Sequence, residues 1–311
     1  MKTRIHKSSR INSRGAYALA IALLVVAFPF FGLRRLEYAV TFHPERIAPG
    51  QRWIAPDRGE DVWFTARDNV RLHGWFINSE ARPALATLIY FHGNGGNISH
   101  VGWLGESLSR RGFDVLLFDY RGYGRSEGSI SDEEDLYADA DAAYDYVINH
   151  RGASPERIAL YGQSLGTAAV ADLAARKPVG AIIIESGLSS ADRMAEKMMP
   201  WLPRFLRGLG NNRFESARKL ARVHCPTLIT HGDPDPVIPV DQGRELFAAA
   251  SEPKKLILVP GAGHCVFGFG GDQYLDQIAA FIRLRIVGRK EQSSLLQLHS
   301  QQRARDPRMP E

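Results

Sequence analysis

The chain has little cysteine. Cys225 and Cys265 are the only two in 311 residues, so at most one disulfide could form and a disulfide-stapled scaffold is excluded. Acidic residues are missing from the first fifteen positions, where Lys2, Arg4, Lys7, Arg10 and Arg14 carry the charge. Basic excess is missing from the body. The arm holds +5 and residues 288–311 hold +2, so of the chain's net +5 residues 16–287 carry −2. Phosphate binding needs a basic footprint, and without one in the body a nucleic-acid partner is excluded. A content of 44% hydrophobic and 23% charged residues excludes a disordered or collagen-like chain.

Residues 16–33, AYALAIALLVVAFPFFGL, are 18 uncharged residues. At a rise of ~1.5 Å each they approach the ~30 Å thickness of a hydrocarbon core. The run ends in Phe-Pro-Phe-Phe-Gly-Leu and then Arg34 and Arg35, with no small-x-small cleavage site, so an uncleaved signal-anchor is expected. Basic residues before the run outnumber Arg34, Arg35 and Arg46 after it, which directs the N-terminus to the cytosol and the rest of the chain across the membrane. The expected organisation is a basic arm at 1–15, a transmembrane segment at 16–33, a linker at 34–59, one domain at 60–287 and a solvated tail at 288–311.

From about residue 61, short β-branched runs alternate with segments of helical period, the pattern of a mostly parallel α/β sheet with helices on both faces. The first two expected strands, 62–65 and 70–77, are separated by Ala-Arg-Asp-Asn and read as an antiparallel hairpin. Six more follow at 86–91, 113–118, 157–161, 181–184, 227–230 and 255–259. Helices are expected at 101–111, 132–149, 167–176, 240–250 and 272–285. The second of these opens on Ser131-Asp132-Glu133-Glu134, acids where the helix dipole favours them.

Gly162-Gln163-Ser164-Leu165-Gly166 fits G-x-S-x-G between a strand and an Ala-rich helix, the context in which that motif forms a nucleophile elbow. A serine hydroxyl needs a base to take its proton and a carboxylate to hold that base. His264, in Gly261-Ala262-Gly263-His264 after the last strand, lies in a loop at the elbow's sheet edge. His231 and His92 also end strands, and the tight His-Gly-Asp-Pro turn suggests a structural bond for His231. For the acid, Asp235 in His231-Gly-Asp-Pro-Asp235-Pro-Val-Ile-Pro239 gives the chain order Ser, Asp, His of α/β-hydrolases. Asp233 competes as a turn residue, and Glu185, ending the sixth strand, is a third candidate. Phe91-His-Gly-Asn94-Gly-Gly-Asn97 can turn amides inward, so the amides of Asn94 and Leu165 are the expected oxyanion donors. No Gly-Lys-Ser/Thr follows these glycines, which discards a phosphate loop. Gly122-Tyr-Gly124-Arg-Ser-Glu-Gly128 departs from dinucleotide spacing. Neither a cofactor nor a metal is indicated.

The set FHGNGGN, DYRGYGRSEG, GQSLG, HGDPDPVIP and GAGH, in that order, resembles the serine-hydrolase branch of the α/β-hydrolase superfamily. More narrowly, it is similar to single-pass, membrane-anchored α/β-hydrolase-domain proteins, whose relatives include depalmitoylase-like and prolyl-oligopeptidase-like hydrolases. The resemblance covers about residues 60–287 and implies Ser164, Asp235 and His264 as nucleophile, acid and base. Cys265-Val266-Phe267 stands where several relatives have small polar residues, which bears on the pocket. The fold also separates the cysteines. Cys225 opens one strand and Cys265 follows another, at opposite sheet edges, and a strand of about five residues at ~3.3 Å each exceeds the ~7 Å bridging limit. Two free thiols are expected.

Residues 186–224 are long enough for a small cap. Within them Met194, Met198, Leu202, Phe205 and Leu209 fall at helical spacing, to pack on the body or to line an acyl groove. The resulting expectation is a membrane-tethered serine esterase or thioesterase with a small-molecule, acylated or lipid-like substrate. Its catalytic domain would lie on the extracytoplasmic side. A prolyl-oligopeptidase-like peptidase, or a binding protein that kept the fold, are the alternatives. Oligomeric state is not legible in the sequence.

Overall fold

The computed structural model describes residues 35, 37–48, 50, 53–201, 203, 207 and 210–288. The chain divides into a unit of residues 1–41 and a unit of residues 42–311, and the second carries the elements below. Among the described residues no helix is long and apolar enough to cross a membrane. The expected span at 16–33 lies outside them, as does the tail from 289 on.

In chain order the second unit contains β1 (His43–Pro44), β2 (Gly59–Thr65), β3 (Arg71–Ile77), β4 (Ala86–Phe91), β5 (Gly95–Gly96) and α1 (Gly102–Arg110). Next come β6 (Phe113–Phe118), α2 (Glu133–Asn149), β7 (Ile158–Gln163), α3 (Gly166–Arg176), β8 (Ala181–Glu185) and α4 (Ala191–Met198). The last are α5 (Ser216–Leu220), β9 (Thr227–Asp233), α6 (Val240–Ala249), β10 (Lys254–Pro260) and α7 (Val266–Ile282). The eight long strands form one sheet in the order β10-β9-β8-β7-β4-β6-β3-β2. Only β3 runs against the others: β2 and β6 both pair with it antiparallel, and every remaining pairing is parallel.

The central strands β4, β7 and β8 are buried along their whole length and mostly apolar because both faces are covered. One core packs α2, α3 and α6 residues such as Leu136, Val170 and Leu246 onto Ile89, Leu160 and Ile182. The other packs Leu104 and Leu108 of α1 and Leu275 and Ile278 of α7 onto Leu88, Tyr161 and Ile183. Helix α2 starts where its acids predict, with the Asp132 side chain accepting from the amides of Glu134 and Asp135 at 3.1 and 3.3 Å.

Three expectations change. From Phe42 onward the segment expected as a linker is part of the domain. Phe42 is buried, His43–Pro44 pair with Gly95–Gly96 and Arg46 bridges to Gly124. These contacts are made across distant sequence by a two-residue strand and single residues, which carry no periodicity to read. Helix α7 begins at Val266, six residues before the expected 272. Its glycine-rich first turns look like loop, and the backbone break comes only at Gly271, whose φ is +49°. The cap is also narrower than 186–224. Phe214, Leu220 and Val223 are core residues, and Glu133 at the start of α2 accepts from the amides of Arg213 and Phe214 at 2.8 and 2.7 Å. Of the apolar stripe, Met194 packs on the core and Met198 is exposed. Leu202, Phe205 and Leu209 lie outside the described residues. The cysteines stand at opposite ends of neighbouring strands and form no disulfide.

Candidate active site

Strand β7 and helix α3 meet at Ser164. Its φ of +54° is a left-handed conformation that costs a non-glycine residue roughly 1–3 kcal/mol. The flanking glycines permit the turn. A Cβ on Gly162 would stand 2.7 Å from the carbonyl oxygen of Gly166, and one on Gly166 would overlap the carbonyl of Phe91 at the end of β4. The turn is held on both sides. The Ser164 amide donates to the Glu185 carbonyl at 2.9 Å, and the Thr167 hydroxyl donates to the Ser164 carbonyl at 2.6 Å.

Parallel strands bring their C-terminal loops together, and the loops after β9 and β10 deliver the two partners. His264 Nε2 lies 2.9 Å from Ser164 Oγ, and His264 Nδ1 lies 2.8 Å from Asp235 Oδ2. The other Asp235 oxygen accepts from the amides of Val237 and Ile238 at 2.7 and 3.0 Å. His231 Nε2 is 3.3 Å from Oδ2 and 2.9 Å from the Ile238 carbonyl, the structural role its turn suggested. Burial pushes the Asp235 carboxyl up, but hydrogen bonds with His231 and His264, the charge of His264 and the Ile238 amide outweigh it and hold the pKa well below the ordinary carboxylate range. An ionised Asp235 favours the proton on Nδ1 of His264, leaving Nε2 to accept from the serine.

The loop after β4 closes the other side. A Cβ on Gly93 would lie 3.4 Å from Ser164 Cβ, so this loop and the elbow touch at the serine. Asn94 is the next residue along the loop and Leu165 follows Ser164, so both expected donors stand on the segments that meet there. The structure thus brings Ser164, His264 and Asp235 into direct contact and sets Asn94 and Leu165 on the two segments that meet beside the serine.

Comparison with known proteins places this arrangement. Residues 86–225 match the family described as alpha/beta hydrolase fold. The Escherichia coli protein YfhR is 36% identical over 283 residues, spanning 88% of this chain and 96% of that one. The alpha/beta hydrolase domain-containing protein 17B of Xenopus tropicalis is 35% identical over 224 residues, 72% of this chain and 74% of that one. The chain belongs to the alpha/beta hydrolase family. Among solved structures, the Pyrococcus furiosus esterase Pf2001 shares the fold with a TM-score of 0.64 at 21% identity, covering 79% of this chain and 98% of that one. An esterase of Exiguobacterium antarcticum does so at a TM-score of 0.56 and 16% identity, over 72% of this chain and all of that one.

In this alpha/beta hydrolase it is the Asp235 carboxylate that reaches His264, and the rival acids stand elsewhere. Asp233 ends β9 and its carbonyl accepts the Gly261 amide at 2.8 Å. Glu185 is fully buried, bound by the hydroxyls of Tyr161 and of Tyr274, the latter at 2.8 Å, and by the Phe267 amide at 3.2 Å. Burial pushes its carboxyl up despite these donors, and it braces the first turn of α7 behind His264.

Sequence reasoning missed the support of the Asn94 loop. The Tyr120 hydroxyl donates to the His92 carbonyl and the Tyr123 hydroxyl to the Asn94 carbonyl, each at 3.0 Å. The His43 amide donates to the same Asn94 carbonyl at 2.9 Å. These bonds engage the loop's carbonyls and hold the loop beside Ser164. Below them His92 Nε2 and Asp119 Oδ1 are 3.7 Å apart in full burial. Burial pushes the Asp119 carboxyl up to about 8 and the His92 imidazole down to about 4. The DYRGYG motif held the signal, since it supplies Asp119, Tyr120 and Tyr123, but nothing local says that it folds beneath the loop after β4.

Proposed function

We propose that this chain is a membrane-tethered serine hydrolase that cleaves a carboxylic ester or thioester through an acyl-enzyme at Ser164. One observation carries the reading: the unbroken path from Ser164 Oγ through His264 to an Asp235 oxygen, in contacts of 2.9 and 2.8 Å. Ser164 Oγ attacks the substrate carbonyl while His264 Nε2 takes its proton, and the ionised Asp235 stabilises the imidazolium. The carbonyl oxygen becomes an oxyanion held by the amides of Asn94 and Leu165. Collapse of the tetrahedral intermediate breaks the bond to the alcohol or thiol, which leaves with the proton from His264. Water, deprotonated by the same imidazole, then attacks the acyl-serine, releases the acid and restores Ser164.

The tether is the apolar run at 16–33, with the catalytic domain on the extracytoplasmic side. A fluorophosphonate probe is expected to label the wild type and not Ser164→Ala, with ester turnover in that variant lower by at least about 10³-fold. Equal labelling of both, or none of the wild type, sinks the proposal. Acyl esters of increasing length are expected to turn over faster than aminoacyl-prolyl amides. The reverse order would make the chain a peptidase.

A further inference from the structure

The catalytic edge of the sheet carries exposed large apolar side chains that contribute little to the core. Trp103 opens α1, beyond β4. Met198 ends α4 and Trp201 follows it, beyond β8, while Val237 lies beyond β9 and Phe269 beyond β10. All four preceding strands are parallel, so these residues share the end of the sheet that holds Ser164, Asp235 and His264. Trp201 is 76% exposed and Phe269 61%, although such side chains are usually well covered.

Contacts on this edge tie several of these residues to the loops that carry the triad. The Trp103 ring lies 5.7 Å from that of Phe267, three residues past His264. Phe269 sits over Gly261, whose amide bonds the Asp233 carbonyl. Lys197, beside Met198, donates to the carbonyls of Pro236 and Val237. On the α1 side a groove of about 290 Å³ opens between Trp103, Trp53 and Trp75. Elsewhere, Trp63 on β2 is partly exposed too, but the guanidinium groups of Arg71 and Arg125 lie 4.8 and 5.5 Å from its ring centre.

The chain also reaches the domain at this edge. His43 pairs with Gly95, just past the end of β4, ten residues after the apolar run ends at residue 33. Ten residues span at most about 35 Å, while a globular unit of this size is on the order of 45 Å across. A membrane anchor at 16–33 would therefore keep His43 within that ten-residue reach of the bilayer.

We propose that the edge bearing Ser164 seats on a lipid bilayer through Trp103, Met198, Trp201, Val237 and Phe269, so that an acyl substrate reaches the serine from the membrane without crossing water. This rests on the membrane-tethered reading above. Tryptophan suits such a surface because its ring is apolar and its N–H stays hydrated at headgroup depth.

The test uses the full chain in phosphatidylcholine vesicles whose acyl chains carry bromine, which quenches tryptophan at the interface. Bromine quenching is expected to fall by about a third to a half in Trp201→Phe and in Trp103→Phe and to stay at the wild-type level in Trp63→Phe. Equal quenching in all three variants overturns the proposal. In the double variant Val237→Glu, Phe269→Glu, turnover of a long-chain ester dissolved in the bilayer, divided by that of a short soluble ester, is expected to drop about tenfold. An unchanged ratio also overturns it. Vesicle binding without tryptophan quenching leaves the anchor standing and removes the seated edge. Quenching without turnover of either ester leaves the edge standing and removes the hydrolase. Concentration-dependent burial of Trp201 without lipid would assign the surface to a second copy of the chain and refute the bilayer.

Discussion

Ser164, His264 and Asp235 sit in loops whose sequences give each a different electrostatic setting. Asp235 stays ionised because its oxygens collect two backbone amides and two histidines, whereas Glu185, equally close in sequence terms to a strand end, is buried among hydroxyls with its pKa pushed up. The buried pair His92 and Asp119 shows the opposite strategy, neutrality in place of charge. With His92 near 4 and Asp119 near 8, both are uncharged between those values. A histidine depressed from 6.5 to about 4 contributes stability that is present above pH 6.5 and is lost as pH falls through 4, about 3 kcal/mol in all. His92→Gln is therefore expected to flatten the fall in unfolding free energy between pH 6.5 and 4 by about that amount, measured by denaturant titration at each pH. A slope equal to the wild type's would show that His92 does not titrate in that window.

At the scale of elements, the position of each strand end matters more than its length. The expected strands start and stop within a few residues of the observed ones, yet β7 extends to Gln163 and β9 to Asp233, which carries the ladder up to the catalytic loops. Helix boundaries are set by caps. Because Asp132 serves two amides at the start of α2, Asp132→Ala is expected to lower stability by about 1 kcal/mol in chemical unfolding without changing ester turnover. A loss below a few tenths would mean that Glu133 and its bonds to Arg213 and Phe214 hold that end alone. The segment 42–58 and the first turns of α7 escaped reading for a common reason. Their structure comes from pairing with residues remote in sequence, at Gly95, Gly124 and Glu185, and their own glycine-rich or irregular composition has no period.

For the molecule as a whole, the charge distribution and the apolar run point to one arrangement: a near-neutral catalytic unit, a basic arm, and the proposed anchor between them. The full chain is expected to remain with membranes through an alkaline carbonate wash, while a chain with the 16–33 run replaced by a polar linker is released. Release of the wild type would refute the anchor and leave the chemistry of Ser164 untouched.

Local pattern was enough for the α/β alternation, the elbow and the order serine, aspartate, histidine, because strands, helices and tight turns each answer to residues within a few positions of one another. The chain order already favours Asp235 over Asp233 and Glu185, and the folded chain adds the reason, the donors that surround each carboxylate. Only the folded chain sets Tyr120 and Tyr123 behind the Asn94 loop and gathers the apolar edge around the triad. Each is assembled from two or more separate loops at one end of the sheet, and proximity of that kind exists only once parallel strands have aligned their ends.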